Sequence, residues 1–127
     1  MAKVLLVEDD EALMTITKAI LTDMGHAVVE ASDGRKGLAA ALAHKPDIIL
    51  SDFLMPGVID GGEKKFFDEL ASNPQTKDIP IIITSGLPKM AVEPHVPKRM
   101  WPNIMSKPFD YLELKNVIDK VLKQKKP

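Results

Sequence analysis

Short apolar runs alternate along the chain with longer segments in which apolar residues recur every three or four positions. Five of these runs have the length and composition of buried strands: residues 4–7, 27–31, 47–51, 79–84 and 103–106. The runs are nearly continuous rather than alternating in hydrophobicity. That pattern is typical of strands in a parallel sheet that is covered on both faces.

Helical periodicity fills the first two gaps between the predicted strands. In the first gap, four apolar residues recur at helical spacing before a glycine: Leu13, Ile16, Ile20 and Met24. In the second gap, the turn at residues 32–34 precedes a helix rich in Ala and Leu that ends near Pro46. Strands that alternate with helices in this way predict βαβ crossovers and a doubly wound α/β fold.

The third and last helices have clear apolar faces and ends. Phe66, Phe67 and Leu70 predict a helix that runs to about residue 72 and ends before Asn73-Pro74. In the last helix, Asp110 and Glu113 have the spacing of a capping box. Its apolar stripe comprises Leu114, Val117, Ile118, Val121 and Leu122.

The fourth gap, residues 87–102, contains four prolines: Pro88, Pro94, Pro97 and Pro102. A proline inside a helix removes a hydrogen bond and costs about 3 kcal/mol. The sequence therefore predicts an irregular fourth helical region.

Composition narrows the classes of protein that the chain can belong to. With 127 residues, 45% hydrophobic and 28% charged, the chain suits one globular domain, and we expect residues 1–127 to form it without an output domain. The net charge of −1 favours neither direct nucleic-acid binding nor an anionic membrane surface. The absence of cysteine excludes disulfides, thiolate metal sites and cysteine nucleophiles. The first apolar run ends at Glu8, too short for a signal peptide or a span, so we expect a cytoplasmic protein without membrane insertion.

Polar residues follow four of the predicted strands. Glu8 and Asp9 come after the first strand, Asp52 after the third, Ser85 after the fourth and Lys107 after the fifth. Ligands of parallel α/β sheets bind beyond the carboxyl ends of the strands. Crowded carboxylates suit Mg²⁺, and a lysine with a hydroxyl suits a phosphoryl group.

Each of these residues also has a purely structural explanation. The acids at residues 8–11 could favour the N-terminus of the first helix through its dipole. Asp52 and Ser85 could serve as turn residues, and Lys107 could be a solvated surface lysine. Their joint placement at successive strand ends favours a functional site.

Five segments, in this order and spacing, resemble the receiver domain of bacterial response regulators, the family that includes the chemotaxis regulator. They are residues 5–10, 46–52, 55–57, 80–86 and 107–109. The resemblance covers nearly the whole chain and implies a flavodoxin-like sheet with the strand order 2-1-3-4-5, an order that is known for this family. It also implies a single-domain receiver of a two-component system.

The resemblance implies a role for each residue at the strand ends. Asp52 would accept the phosphoryl group, Ser85 would bind one phosphoryl oxygen and Lys107 would pair with another. The Mg²⁺ ligands would be Glu8, Asp9, Asp52 and the backbone carbonyl of Leu54. Asp10 falls one place beyond the usual acidic pair and is not included.

The resemblance also implies partners. A sensor histidine kinase or a phosphotransfer protein would donate the phosphoryl group in a phosphorelay, and a downstream protein target would receive the signal. The chain would be a monomer or weak dimer, and it would not be an enzyme apart from its self-catalysed phosphoryl transfer and dephosphorylation.

Two departures from the family concern the surface that usually transmits the signal. Ile104 stands three residues before the lysine, where receivers usually carry an aromatic residue, and the prolines at 88–102 interrupt the fourth helical region. They leave open an alternative, a pseudo-receiver binding module that is not regulated by phosphorylation.

Two other classes of protein fit the sequence less well. An aspartyl-phosphate hydrolase would typically need an Asp where Leu54 stands, and a flavodoxin would need a Ser/Thr/Gly-rich loop where residues 8–11 are acidic.

Overall fold

A computed structural model describes residues 2–53 and 62–124, with the backbone alone for 62–65 and 124. Five parallel strands form one sheet in the order β2-β1-β3-β4-β5. They are β1 (Lys3–Val7), β2 (Ala27–Ala31), β3 (Ile48–Asp52), β4 (Ile81–Ser85) and β5 (Ile104–Ser106). The predicted fold class and strand order are confirmed, with individual strand ends shifted by one or two residues.

Helices cover both faces of this sheet. They are α1 (Glu11–Asp23), α2 (Gly34–His44), α3 (Gly62–Ser72), the short α4 (Lys89–Val92) and α5 (Tyr111–Gln124). Apolar side chains of α1 and α5 pack on one face in a cluster with Leu6 and Leu50, whereas those of α2, α3 and α4 pack on the other face with Leu5 and Ile49. Alternate residues of the buried strands therefore contribute to two separate hydrophobic cores, one on each face of the sheet.

Side-chain caps fix where the helices begin. Asp10 accepts a hydrogen bond from the N–H of Leu13 at the start of α1. At the start of α5, Asp110 Oδ1 accepts from the N–H of Glu113 at 2.7 Å, and Glu113 Oε1 accepts from the N–H of Asp110 at 3.5 Å. The predicted capping box is confirmed.

The buried face of α1 differs from the apolar spacing that predicted the helix. Met14 and Leu21 are its buried residues, whereas Leu13 is 38% and Ile16 is 55% exposed. Periodicity identifies a helix, but the neighbouring elements decide which of its apolar residues become buried.

The segment at 87–103 is irregular, as its prolines predict. Only Lys89–Val92 is α-helical, and two 3₁₀ helices follow at Glu93–His95 and Lys98–Asn103. Trp101 Nε1 donates a hydrogen bond of 3.1 Å to the carbonyl of Val96, which ties the second 3₁₀ helix to the strand-like residue before it.

Within the described ranges, every helix falls short of the length and apolar character needed to span a bilayer.

Candidate functional site

Three carboxylates meet at the carboxyl edge of the sheet. Glu8 and Asp9 follow β1, Asp52 ends β3, and one oxygen from each of these side chains lies within 4.8 Å of the other two. Because β1 and β3 are adjacent and parallel, their carboxyl ends bring together residues that are more than 40 positions apart in the chain. A set of hard oxygen donors at this spacing fits Mg²⁺ or another hard divalent cation.

Lys107 bridges two of these carboxylates. Its Nζ lies 3.2 Å from Asp52 Oδ1 and 3.7 Å from Glu8 Oε1. The backbone N–H of Lys107 donates a 2.7 Å hydrogen bond to the carbonyl of Ser85, which aligns the end of β5 with the end of β4. The lysine thus provides a positive charge at the point where the carboxylates repel each other.

The two oxygens of Asp52 differ in their contacts. Oδ1 accepts hydrogen bonds from Lys107 Nζ at 3.2 Å and from the backbone N–H of Phe53 at 3.0 Å. Oδ2 accepts no hydrogen bond from any of the described residues. Among the described residues, two donors therefore hold Oδ1 and none holds Oδ2.

Burial raises the pKa of both Glu8 and Asp52. For Asp52, desolvation is the main cause, and the charge of Lys107 and its hydrogen bond oppose it. For Glu8, desolvation again leads, and the N–H of Asp10, which donates to Glu8 Oε2 at 3.2 Å, is the largest opposing influence. A site whose carboxylates resist ionisation gains when a cation compensates their charge.

Ser85 lies at the end of β4, between the ends of β3 and β5. The register pairs Asp52 with Thr84 and pairs Ser85 with Ser106, the residue before Lys107. The Ser85 side chain is 1% exposed, and its oxygen accepts a hydrogen bond from the N–H of Leu87 at 2.9 Å. Its hydroxyl proton can still be donated to an incoming oxygen.

Five of the six residues predicted for the site lie at or just beyond the carboxyl ends of four adjacent strands, β1, β3, β4 and β5. The sixth, Leu54, lies outside the described residues. The structure adds two backbone donors that the sequence did not reveal, the N–H groups of Phe53 and Asp10. Backbone amides leave no trace in a residue pattern, so the sequence contained nothing that could have identified them.

The ring that follows Asp52 contacts the irregular segment. Phe53 is 3% exposed, stacks on Phe67 at 6.3 Å between ring centroids and lies 6.0 Å from the ring of His95. Ile104, three residues before Lys107, packs in the same core cluster. An aromatic contact with this segment is therefore made by the residue that follows β3 rather than by a residue of β5.

Comparison with known sequences agrees with this geometry. The family model described as response regulator receiver domain matches residues 4–119. The chain is 31% identical to the protein PilH of Pseudomonas aeruginosa over 122 residues, covering 96% of this chain and 98% of PilH. It is 28% identical to a probable chemotaxis protein CheY of Rhizobium etli, covering 94% of this chain and 91% of that protein. Against the longer regulator AfsQ1 of Streptomyces coelicolor, it spans only 36% of that protein's length.

Solved structures resemble the fold closely. The chemotaxis response regulator CheY4 of Vibrio cholerae superimposes with a TM-score of 0.80 at 30% identity, covering 95% of this chain and 98% of CheY4. The receiver domain of the sensor histidine kinase PA1611 of Pseudomonas aeruginosa superimposes with a TM-score of 0.79 at 22% identity, covering 96% and 98%. That crystal structure has a magnesium ion coordinated in its active-site cleft.

Proposed function

The chain belongs to the response regulator receiver domain family, and on that premise we propose that it is switched by phosphorylation of Asp52. The donor is a sensor histidine kinase or a phosphotransfer protein, and the product acts on a downstream protein target. The observation that carries the proposal is the position of Asp52: its carboxylate lies in a cluster with Glu8 and Asp9 beside Lys107, and its Oδ2 accepts no hydrogen bond from the described residues.

In the proposed reaction, Oδ2 of Asp52 attacks the phosphorus of the donor. A bond forms between this oxygen and phosphorus, the bond from phosphorus to the donor nitrogen breaks, and its electron pair stays on the donor. Phe53 N–H and Lys107 hold Oδ1 and so orient the carboxylate for attack. Such transfers depend mainly on positioning and electrostatic stabilisation.

Glu8, Asp9 and Asp52 fit a magnesium ion, and the backbone carbonyl of Leu54 would complete the set by resemblance to the family. When bound, Mg²⁺ supplies positive charge to the carboxylates and to the transferring group. Lys107 has two carboxylate partners and can exchange one of them for a phosphoryl oxygen without leaving the site. Ser85 donates its hydroxyl proton to another phosphoryl oxygen.

The phosphoryl group adds charge at a site that is largely buried. It shifts an equilibrium between two conformations of the surface, by the difference between its interaction energies with the two conformations. The chain then acts as a signalling protein, and the only reactions in which it takes part are its own phosphorylation and dephosphorylation.

The test is phosphorylation by candidate kinases and by the small phosphodonor acetyl phosphate, with intact mass as the readout. The parent should gain one phosphoryl group that hydroxylamine removes, as expected for an acyl phosphate. Asp52→Asn should gain none. The control Asp78→Asn changes an exposed acidic residue at the opposite edge of the sheet and should be labelled as the parent is. Equal labelling of Asp52→Asn would refute the acceptor, and no labelling by any donor would favour the pseudo-receiver.

A further inference from the structure

A cavity of about 260 Å³ lies beside Asp52, on the face of the sheet covered by α1 and α5. Leu6 and Leu50 line it from the sheet, α1 lines it along one side, and Pro108 and Phe109 line it from the segment after β5. Most of its lining is apolar. A concave apolar cavity that converges on a few polar groups is the usual form of a small-molecule site.

Two apolar residues of α1 remain exposed at this cavity. Leu13 is 38% and Ile16 is 55% exposed, and both line the cavity, together with Thr17. These are residues whose helical spacing suggested a buried face but which none of the described elements covers. Exposed apolar residues grouped around a cavity are typical of a binding surface.

One end of the cavity is charged. Glu8, Asp52 and Lys107 line it, and Asp9 belongs to the same carboxylate cluster as the first two. Two carboxylates and one ammonium group line this end, so without a metal ion it carries a net negative charge, and the nearby carboxylate of Asp9 adds to it. An occupant with a positive head group is therefore complementary to this end, and one with a negative head group is repelled by it.

The size of the cavity limits the apolar part of an occupant. A cavity of about 150 Å³ lined by Leu, Ile and Phe binds benzene. The 260 Å³ here therefore has room for one ring and a short chain that reaches the carboxylates.

We propose that this cavity binds a small organic amine, with its ring against Leu13, Ile16 and Phe109 and its ammonium group at Glu8 and Asp52. The site does not depend on phosphorylation for its existence. Its consequence does rest on the proposed function, because a bound ammonium group occupies the place that Mg²⁺ and the phosphoryl group need. The amine would then act as an antagonist of phosphorylation.

The test compares three probes of matched shape: 2-phenylethylamine, 2-phenylethanol and 3-phenylpropanoate. Each is titrated into the Mg²⁺-free protein at neutral pH while backbone amide shifts are followed by NMR. The amine should bind about tenfold tighter than the alcohol, as one charge-assisted contact allows, and the carboxylate should bind more weakly than the alcohol. Amides of α1 and of residues 108–110 should shift, and Mg²⁺ should weaken amine binding.

Variants on α1 locate the site. Thr17→Phe fills the cavity and should abolish amine binding, whereas Ala19→Phe places the same ring on an exposed position of α1 outside the cavity and should leave it unchanged. Ile16→Ser, at an exposed position that tolerates the change, should weaken the amine and the alcohol several-fold alike. Asp52→Asn should remove most of the preference for the amine over the alcohol.

Three outcomes would overturn the proposal: no binding of the amine, equal affinity for amine and alcohol, or amide shifts confined to other surfaces. Equal affinity would mean that the cavity binds apolar groups, such as a side chain of a partner protein, without recognising a positive charge. None of these outcomes bears on the proposed phosphorylation, which is measured separately by the mass gained from acetyl phosphate.

Discussion

The hydroxyl oxygen of Ser85 accepts a hydrogen bond of 2.9 Å from the backbone N–H of Leu87. This bond joins the end of β4 to the first residue of the irregular segment at 87–103. We expect the Ser85 side chain to change its rotamer when it donates to a phosphoryl oxygen, which moves its oxygen away from the Leu87 amide and weakens or breaks this bond. Ser85 therefore connects the carboxylate site to the segment that replaces a regular fourth helix.

Phosphorylation should consequently be detected at the Leu87 amide rather than through an aromatic rotation at Ile104. With a phosphoryl mimic bound, hydrogen exchange at Leu87 should accelerate about fivefold, which corresponds to the loss of one ordinary hydrogen bond. Exchange across residues 89–103 should change with it. Ser85→Ala should exchange rapidly at Leu87 with or without the mimic, and Ser85→Thr should respond as the parent does. Unchanged protection in the parent would contradict this path.

Asp9 should be required for metal binding but not for folding. It is exposed and belongs to the carboxylate cluster, so Asp9→Asn should weaken Mg²⁺ binding at least about tenfold while the melting temperature without metal stays near that of the parent. Isothermal titration calorimetry measures the affinity, and Asp78→Asn is the matched control. If Asp9→Asn binds Mg²⁺ as tightly as the parent does, the metal site has been assigned to the wrong residues.

Stability without metal should fall as pH rises through the range in which Glu8 and Asp52 ionise. Burial raises the pKa of both groups above the values of 4.5 and 3.8 expected for the unfolded chain, so within that window the folded chain holds more protons. The free energy of unfolding then decreases with rising pH. The double variant Glu8→Gln with Asp52→Asn should have a higher melting temperature than the parent at pH 7 and a flatter pH dependence.

Excess Mg²⁺ provides the control for this pH dependence. A bound cation favours the ionised carboxylates, so metal affinity should weaken as the pH is lowered. In excess Mg²⁺ the parent's melting temperature should therefore rise with pH, the reverse of its behaviour without metal. A melting temperature that rises with pH in the same window without metal would show that these two carboxylates are not held protonated by burial.

The phosphorylated form should be long-lived. In the family, the positions two after the phosphorylated Asp and two after the Ser or Thr flank the approach of water to phosphorus, and here they are Leu54 and Leu87. Neither can orient a water molecule. Leu87, two residues beyond the end of β4, is 38% exposed, whereas Leu54 lies outside the described residues. Leu54→Asn with Leu87→Glu should shorten the lifetime about tenfold or more.

Loss of the phosphoryl group, followed by intact mass at constant free Mg²⁺, measures that lifetime. Met90→Glu, a change at a position that is 82% exposed on the same segment, is the control and should leave the lifetime unaltered. A parent that decays as fast as the double variant would mean that the two leucines do not control hydrolysis.

Much of the fold could be predicted because its information is local. Apolar runs, helical spacing and prolines identified five strands, their helices and the irregular segment at 87–103, and the spacing of Asp110 and Glu113 identified a cap. The order of the strands came from resemblance to a family. The residues of the candidate site were found because the ends of parallel strands meet at one edge, so a polar residue after each strand predicts a shared location.

The tertiary structure alone decided what these residues do to one another. Lys107 reaches Asp52 across 55 positions, Oδ1 rather than Oδ2 is held, and burial raises the pKa of Asp52 and Glu8. It also decided that Leu13 and Ile16 remain exposed beside a cavity. Periodicity and spacing depend on the geometry of one element, whereas burial, charge coupling and cavities depend on the distance between elements that are remote in sequence.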